Sequence, residues 1–292
     1  MRQYLEAVQQ VLEHGTRKSN RTGIDTISSF NINYQIDLRD GFPLLTTKEI
    51  SWKNIVVENL WFLSGETHVG LLRRHGCRFW DPWADDNGQV PSSYGNFWRR
   101  FPVHEDSEIS FNDQIRWVVN ELKRNPQSRR LVVSAWAPGN AQVSALPPCH
   151  AFWVLNVQYT AEGEPLLCLH LTQRSCDIAL GVPYNIAGYA LLLELFSRFS
   201  GIQAGILGHT LVDAHIYTAK LDGAMAEYDH IPGLREQLSR PLRELPSLQI
   251  DPIIRDLNDI PQLLESDTQE LLKLFQLDGY RPHPAISFKV AV

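Results

Sequence analysis

Cysteine is scarce in this chain, with four in 292 residues, at positions 77, 149, 168 and 176. None stands in a C-x-x-C pair, which removes the usual ligand frame of a zinc site, and four scattered thiols in so long a chain do not make a disulfide scaffold. No apolar run approaches the ~18 residues needed to cross a bilayer, and the opening Met1-Arg2-Gln3-Tyr4-Leu5-Glu6 has no apolar signal core. These absences point to a reducing, cytoplasmic setting with free thiols, no metal and no membrane partner. Positive charge is also in deficit, with 27 Lys and Arg against 33 Asp and Glu and a formal net charge of -6. Nucleic acid is therefore not an expected partner, because duplex binding usually needs a basic face; a small anion held by a few local arginines remains compatible with this balance. Repeats, low-complexity tracts and linkers are lacking too, so residues 1–292 read as a single domain. A chain of this length buries roughly three quarters of its unfolded surface and needs no staple.

What is present is a pattern of mixed elements. Leu5, Val8, Val11 and Leu12 form a helical stripe over 3–14, with Gly15 as the stop. Residues 30–38 alternate, with Phe30, Ile32, Tyr34, Ile36 and Leu38 on one face and Asn31, Asn33, Gln35 and Asp37 on the other, as in a half-buried strand. Residues 51–64 predict a deeply packed helix and 112–124 an amphipathic one. Strands are expected at 130–136, 151–159, 166–174 and 205–211, and helices at 185–199 and 214–227. The stretch from 230 to 270 reads as irregular. The coarse reading is α+β with a mixed sheet.

Candidate chemistry begins at Leu146-Pro147-Pro148-Cys149-His150, where two prolines fix the backbone before a strand and place the thiol rigidly. The ordinary reading of a lone cysteine is structural burial. His150 is not automatically a base for Cys149, since adjacent strand residues point to opposite faces. In Gln173-Arg174-Ser175-Cys176-Asp177 the arginine suits an anion and is placed to lower a nearby thiol pKa; taken alone it is an ordinary exposed Arg. Cys176, next to a carboxylate, is the poorer nucleophile. Ser128-Arg129-Arg130 and Asn20-Arg21-Thr22-Gly23 offer further anion contacts or plain solvated charge. Phe79-Trp80-Asp81-Pro82-Trp83 is either core packing or a stacking wall for a flat heterocycle.

Taken together, Pro148-Cys149-His150, Gln173 to Asp177, Gly181-Val182-Pro183-Tyr184-Asn185-Ile186-Ala187, Asp213-Ala214-His215-Ile216-Tyr217, Ser128-Arg129-Arg130 and Trp61-Phe62-Leu63 resemble the thymidylate synthase family almost end to end. The resemblance implies an α/β fold with a large twisted mixed sheet packed with helices, paired sheet to sheet in a homodimer. It implies Cys149 as the nucleophile that adds to C6 of dUMP, and 5,10-methylenetetrahydrofolate as the carbon donor. It gives Arg21, Gln173, Arg174 and Ser175 to the nucleotide, with Arg129 and Arg130 crossing from the partner. Asn185 would read the uracil edge, and His215 and Tyr217 the deoxyribose hydroxyl. Glu58, Tyr94 and His150 would form the proton network, with Asp177 beside it. Lys48, Phe79, Trp80, Trp83, Asp177, Leu180, Gly181, Tyr184 and Ala291 would hold the folate, and the tail Val290-Ala291-Val292 would close over both.

Several positions depart from the family pattern: Pro91-Ser92-Ser93 before Tyr94-Gly95, Ala137 after Trp136, Gly188, Val212, and Ala219-Lys220. They bear on the last step. Hydride from the folate gives dTMP; water instead gives 5-hydroxymethyl-dUMP. Trp80, Leu146 and the tail favour methyl, with the hydroxymethyl product as the alternative. Two other classes compete, a cysteine hydrolase and a non-catalytic nucleotide-binding module. The hydrolase leaves the arginines unexplained, and Cys149→Ser separates an enzyme from a binding module.

Overall fold

The computed structural model describes residues 1–141, 144 and 146–291. Its helices are α1 (Arg2–His14), α2 (Trp52–Ser64), α3 (Gly70–Arg74), α4 (Tyr94–Arg99), α5 (Gln114–Arg124), α6 (Pro138–Ala141), α7 (Gly181–Ser200), α8 (Ile231–Ser239), α9 (Ile260–Glu265) and α10 (Thr268–Lys273). Its strands are β1 (Thr16–Lys18), β2 (Asp25–Asp37), β3 (Val132–Ser134), β4 (His150–Tyr159), β5 (Pro165–Gln173), β6 (Cys176–Asp177), β7 (Gln203–Thr218), β8 (Ser247–Ile250) and β9 (Phe275–Asp278). Seven strands form one mixed sheet in the order β1-β2-β7-β5-β4-β3, with β6 also against β7. β7 runs parallel to β5 and β6 and antiparallel to β2. β8 and β9 make a small separate hairpin sheet.

Helix α7 is apolar nearly all round, with Ile186, Ala190, Leu193, Leu195 and Phe196 fully buried, so it belongs in the middle of the core rather than on its surface. It stops at Gly201, whose left-handed φ of 75° closes the last turn. Helix α2 starts where the Ser51 hydroxyl accepts the Asn54 N–H and stops at left-handed Gly65. Gly95 lets α4 close on α2, since a Cβ there would lie 2.6 Å from the Phe62 carbonyl oxygen. That close approach brings Tyr94 over Phe62, with ring centroids 5.2 Å apart. Ser93, one of the departing positions, caps α4 by accepting the Asn96 N–H at 3.3 Å.

Four expectations from the sequence are corrected. The helix expected over 214–227 is strand: β7 runs through to Thr218. Along it the burial phase flips, with Leu207, His209 and Leu211 buried before Val212 and Ala214, Ile216 and Thr218 after it. The flip defeats a reading based on strict alternation, and it turns His215 and Tyr217 away from the core. The 230–270 stretch holds α8, β8 and α9, pieces too short to show a helical period, and α8 and α9 carry Pro in their first turns where a missing N–H costs nothing. Phe30 is 81% exposed, not inward, next to left-handed Asn31. The strand expected at 130–136 is regular only over Val132–Ser134.

Candidate active site

Cys149 ends the Pro147-Pro148 turn just before β4. The Tyr94 hydroxyl oxygen accepts the N–H of both Cys149 and His150, at 3.0 and 3.3 Å. Arg174 grips the same turn: its backbone N–H donates to the Cys149 carbonyl at 2.9 Å. Its side chain donates to the carbonyls of Pro148 and Pro147, each at 2.8 Å. The Arg174 guanidinium also lies 5.2 Å from the centre of the Trp136 ring. Facing it, Arg21 sits in a tight turn in which Asn20 Oδ1 accepts the Thr22 N–H at 2.9 Å and Asn20 Nδ2 donates to the Ile24 carbonyl at 2.8 Å.

Between these elements lies a cavity of about 230 Å³ lined by Arg21, Cys149, Arg174, Ser175, His215 and Tyr217 among others. His215 and Tyr217 are two apart on β7, so they share a face, and their rings meet edge on at 5.4 Å. Burial pushes the Cys149 thiol above its ordinary value, and Arg174 and then Arg21 pull it back without prevailing. The expectation that arginine lowers this thiol is thus only half met: two cations act on it, but desolvation is larger. Burial also raises Cys176 and leaves it inside the core. A larger hollow of about 490 Å³ at the end of α7, lined by Ser197, Arg198, Gly201, Ile202, Gln203 and Arg255, holds no thiol, carboxylate or imidazole.

Behind Cys149 is a second, drier group. His150 stacks on Tyr94 with centroids 4.4 Å apart and planes 7° from parallel. Burial lowers His150 to about 4, against a smaller opposing contact with Asn185, so the imidazole is neutral near pH 7. Burial and then the nearby Cys149 raise Tyr94, which keeps its proton. The enclosed Glu58 carboxyl is pushed up to about 7 by desolvation, although the Trp80 indole N–H donates to it at 2.8 Å. Gln173 Nε2 donates to Asn185 Oδ1 at 3.0 Å, so Gln173 meets the site through Asn185.

Next to this group stands an aromatic wall. Phe79 meets Tyr184 edge on at 5.0 Å and Trp80 meets Trp83 at 6.1 Å. Asp177 Oδ1 accepts the N–H of Ala179 and Leu180, which sets the chain ahead of Gly181 and α7. Flat faces beside a carboxylate suit a heterocycle rich in N–H groups, such as a reduced folate. Lys48 is buried rather than held out for an anionic tail: it donates to the Ala179 carbonyl, and desolvation lowers it to about 8 against the pull of Asp177. The tail is tied down where His230 Nε2 meets the Lys289 carbonyl at 3.0 Å, and Ala291 is half-buried beyond it. Val292 lies outside the described residues. Arg129 and Arg130 are exposed on the approach to β3 and are not among the residues lining the cavity.

Sequence reading missed Lys18 and Thr26, which also line the cavity, and it named Asn20 and Asp213 only within their motifs, with no role of their own. Lys18 and Asp213 form an ion pair at 2.9 Å across its rim. Thr26 and Ser28 lie on the first part of β2, ahead of the strand expected at 30–38, where register sets them opposite Tyr217 and His215. Of the departing positions, Ala137 is buried in the core and Val212 has an ordinary backbone at the β7 flip. Gly188 makes room for Asn59, whose Nδ2 lies 2.9 Å from where a Cβ would stand.

Fold and cavity together define the class: an α/β protein with a large mixed sheet whose thiol is set in a pocket lined by arginine. The chain belongs to the thymidylate synthase family, whose description, thymidylate synthase, matches residues 2–292. At the level of the family this means a transferase that places a one-carbon unit from a reduced folate on C5 of dUMP. Among the described residues no helix is long and apolar enough to cross a membrane, and no group of three His, Cys, Asp or Glu is placed to hold a metal ion.

Proposed function

We propose that this protein is a single catalytic unit that reductively methylates dUMP to dTMP, with methylenetetrahydrofolate becoming dihydrofolate. The observation that carries the reading is the cavity in which Cys149 faces Arg21 and Arg174. The two guanidiniums and the Ser175 hydroxyl take the phosphate, and His215 and Tyr217 hydrogen-bond the sugar. That sets the pyrimidine edge against Asn185 and its C6 against the Cys149 sulfur. Cys149 adds to C6, and C5 becomes nucleophilic. Glu58, at about 7, gives and takes protons near neutral pH through the neutral His150 and Tyr94 behind the ring. The folate supplies the methylene carbon and, for the methyl product, the hydride. Phe79, Trp80, Trp83, Tyr184, Leu180 and Gly181 seat it, and Ala291 closes over it with the tail. Trp80 is 6% exposed and packed by Trp61, Phe62 and Tyr94, which keeps water from that side of C5.

The reading includes a pair of chains in the cytoplasm. Phe30, Val132, Phe152 and Tyr159 leave apolar surface on the strands, which favours sheet-to-sheet pairing. Pairing also brings Arg129 and Arg130, exposed beside β3, to a neighbour's phosphate. The test is to incubate the protein with dUMP and methylenetetrahydrofolate and weigh the nucleotide. A methyl gain with dihydrofolate is expected. A hydroxymethyl gain with no dihydrofolate would replace dTMP by the alternative product, and an unchanged nucleotide would refute both.

A further inference from the structure

We propose that His209 and Tyr34, which do not line the nucleotide cavity, set the base preference of the site by fixing which end of the Asn185 carboxamide faces the base. This rests on Asn185 being the base reader. The two ends of an amide are alike in shape and opposite in hydrogen-bonding sense. Its orientation must therefore come from its neighbours.

Those neighbours leave one solution. Gln173 Nε2 is 3.2 Å from the Ser175 carbonyl oxygen and 3.0 Å from Asn185 Oδ1. A backbone carbonyl only accepts, so the Gln173 nitrogen belongs on that side and its Oε1 points the other way. There Oε1 lies 3.0 Å from His209 Nε2, which must then carry the ring proton. His209 is 1% exposed, and burial lowers it to about 3, so it keeps one N–H and one lone pair. The lone pair on Nδ1 accepts from the Tyr34 hydroxyl at 2.8 Å. Desolvation raises Tyr34 well above its ordinary value, so that donor persists.

Every hydrogen bond from Tyr34 through His209 and Gln173 to Asn185 thus points the same way. The last one enters Asn185 Oδ1 and leaves the Asn185 N–H groups to face the ligand. The 4-oxo group of uracil accepts from them, whereas the 4-amino group of cytosine would meet donor with donor. Gln173 is accordingly a positioning residue, and so are His209 on β7 and Tyr34 on β2, linked by contacts that span 36 residues of sequence from His209 to Gln173 and 175 from Tyr34 to His209.

The experiment measures dUMP and dCMP binding to wild type, His209→Phe and Tyr34→Phe by calorimetry, without folate. Wild type should prefer dUMP. His209→Phe should cut the dUMP-to-dCMP preference by about tenfold and Tyr34→Phe by about threefold, because an amide free to turn no longer rejects the 4-amino group. A merely loosened site would weaken both nucleotides alike and leave the ratio unchanged, and that result would overturn the relay. A wild type with no preference for dUMP would overturn the base-reading role of Asn185 instead. Where a variant fails to fold, nitrogen NMR of histidine in the wild type decides the polarity. A neutral His209 protonated at Nε2 supports it, and protonation at Nδ1 overturns it.

Discussion

The rim of the nucleotide cavity and the group behind Cys149 are built on opposite principles. At the rim, Lys18 ends β1, Arg21 stands on the turn that follows, and Asp213, His215 and Tyr217 lie on the half-buried face of the far half of β7, where charge attracts a ligand that water still reaches. Behind the thiol, Tyr94, His150 and His209 are buried and Glu58 is half-buried beside them, and desolvation dominates each of the four. The rim gains its anion site from charge at little cost to the fold. The rear group gains a carboxyl near 7 and two neutral imidazoles only by enclosing polar atoms that would be more stable in water. Mutations in the two regions should therefore separate: rim changes act on binding, and changes at Glu58, Tyr94 and His150 act on turnover and stability in opposite directions.

The sharpest break lies at the thiol between them. Cys149→Ser should lower turnover by about a thousandfold or more while dUMP binding stays within a fewfold of wild type. Equal loss of both in calorimetry and steady-state kinetics would remove the distinction. Next, Glu58→Gln should abolish most activity yet stabilise the fold. Glu58 titrates near 7 in the folded chain against 4.5 as its ordinary value, so the native state holds an extra proton in between and stability is lost as pH rises through that window. Relative to wild type, the variant should gain up to about 3 kcal/mol at pH 8 and nothing below pH 4.5, read from urea denaturation at both pH values. A gain that does not depend on pH would contradict the origin given for the shift. Arg21→Ala should weaken dUMP by about 1.5–3 kcal/mol and leave the melting temperature alone, whereas Arg174→Ala should do both kinds of damage, because it also holds the Pro147 and Pro148 carbonyls. The smallest effect expected is from Gly95→Ala, which overpacks α4 against the Phe62 carbonyl for about 1–3 kcal/mol and displaces Tyr94.

The same contrast governs what the sequence disclosed. Rim and thiol residues occur in short runs whose order carries information: Arg174-Ser175 follows Gln173, and His215 and Tyr217 share a strand face. Helices α1 and α5 were legible because each shows an apolar stripe at helical period, and α2 and α7 because each is an apolar run too long for a strand. The far half of β7 was not, because its buried face changes at Val212, and α8 and α9 are shorter than a readable stripe. Contacts such as Tyr34 with His209, or Trp80 with Glu58, join distant segments and leave no local mark. The balance of forces on Cys149 was also out of reach, since two nearby arginines are visible in sequence and the burial that outweighs them is not.

The most direct measurement of the central claim is the intact mass of the protein after incubation with methylenetetrahydrofolate and 5-fluoro-dUMP, whose C5 fluorine cannot leave as a proton. The account predicts a stable gain of one nucleotide and one folate per chain, carried by the peptide that contains Cys149. A chain of unchanged mass, or an adduct on any other residue, would contradict it.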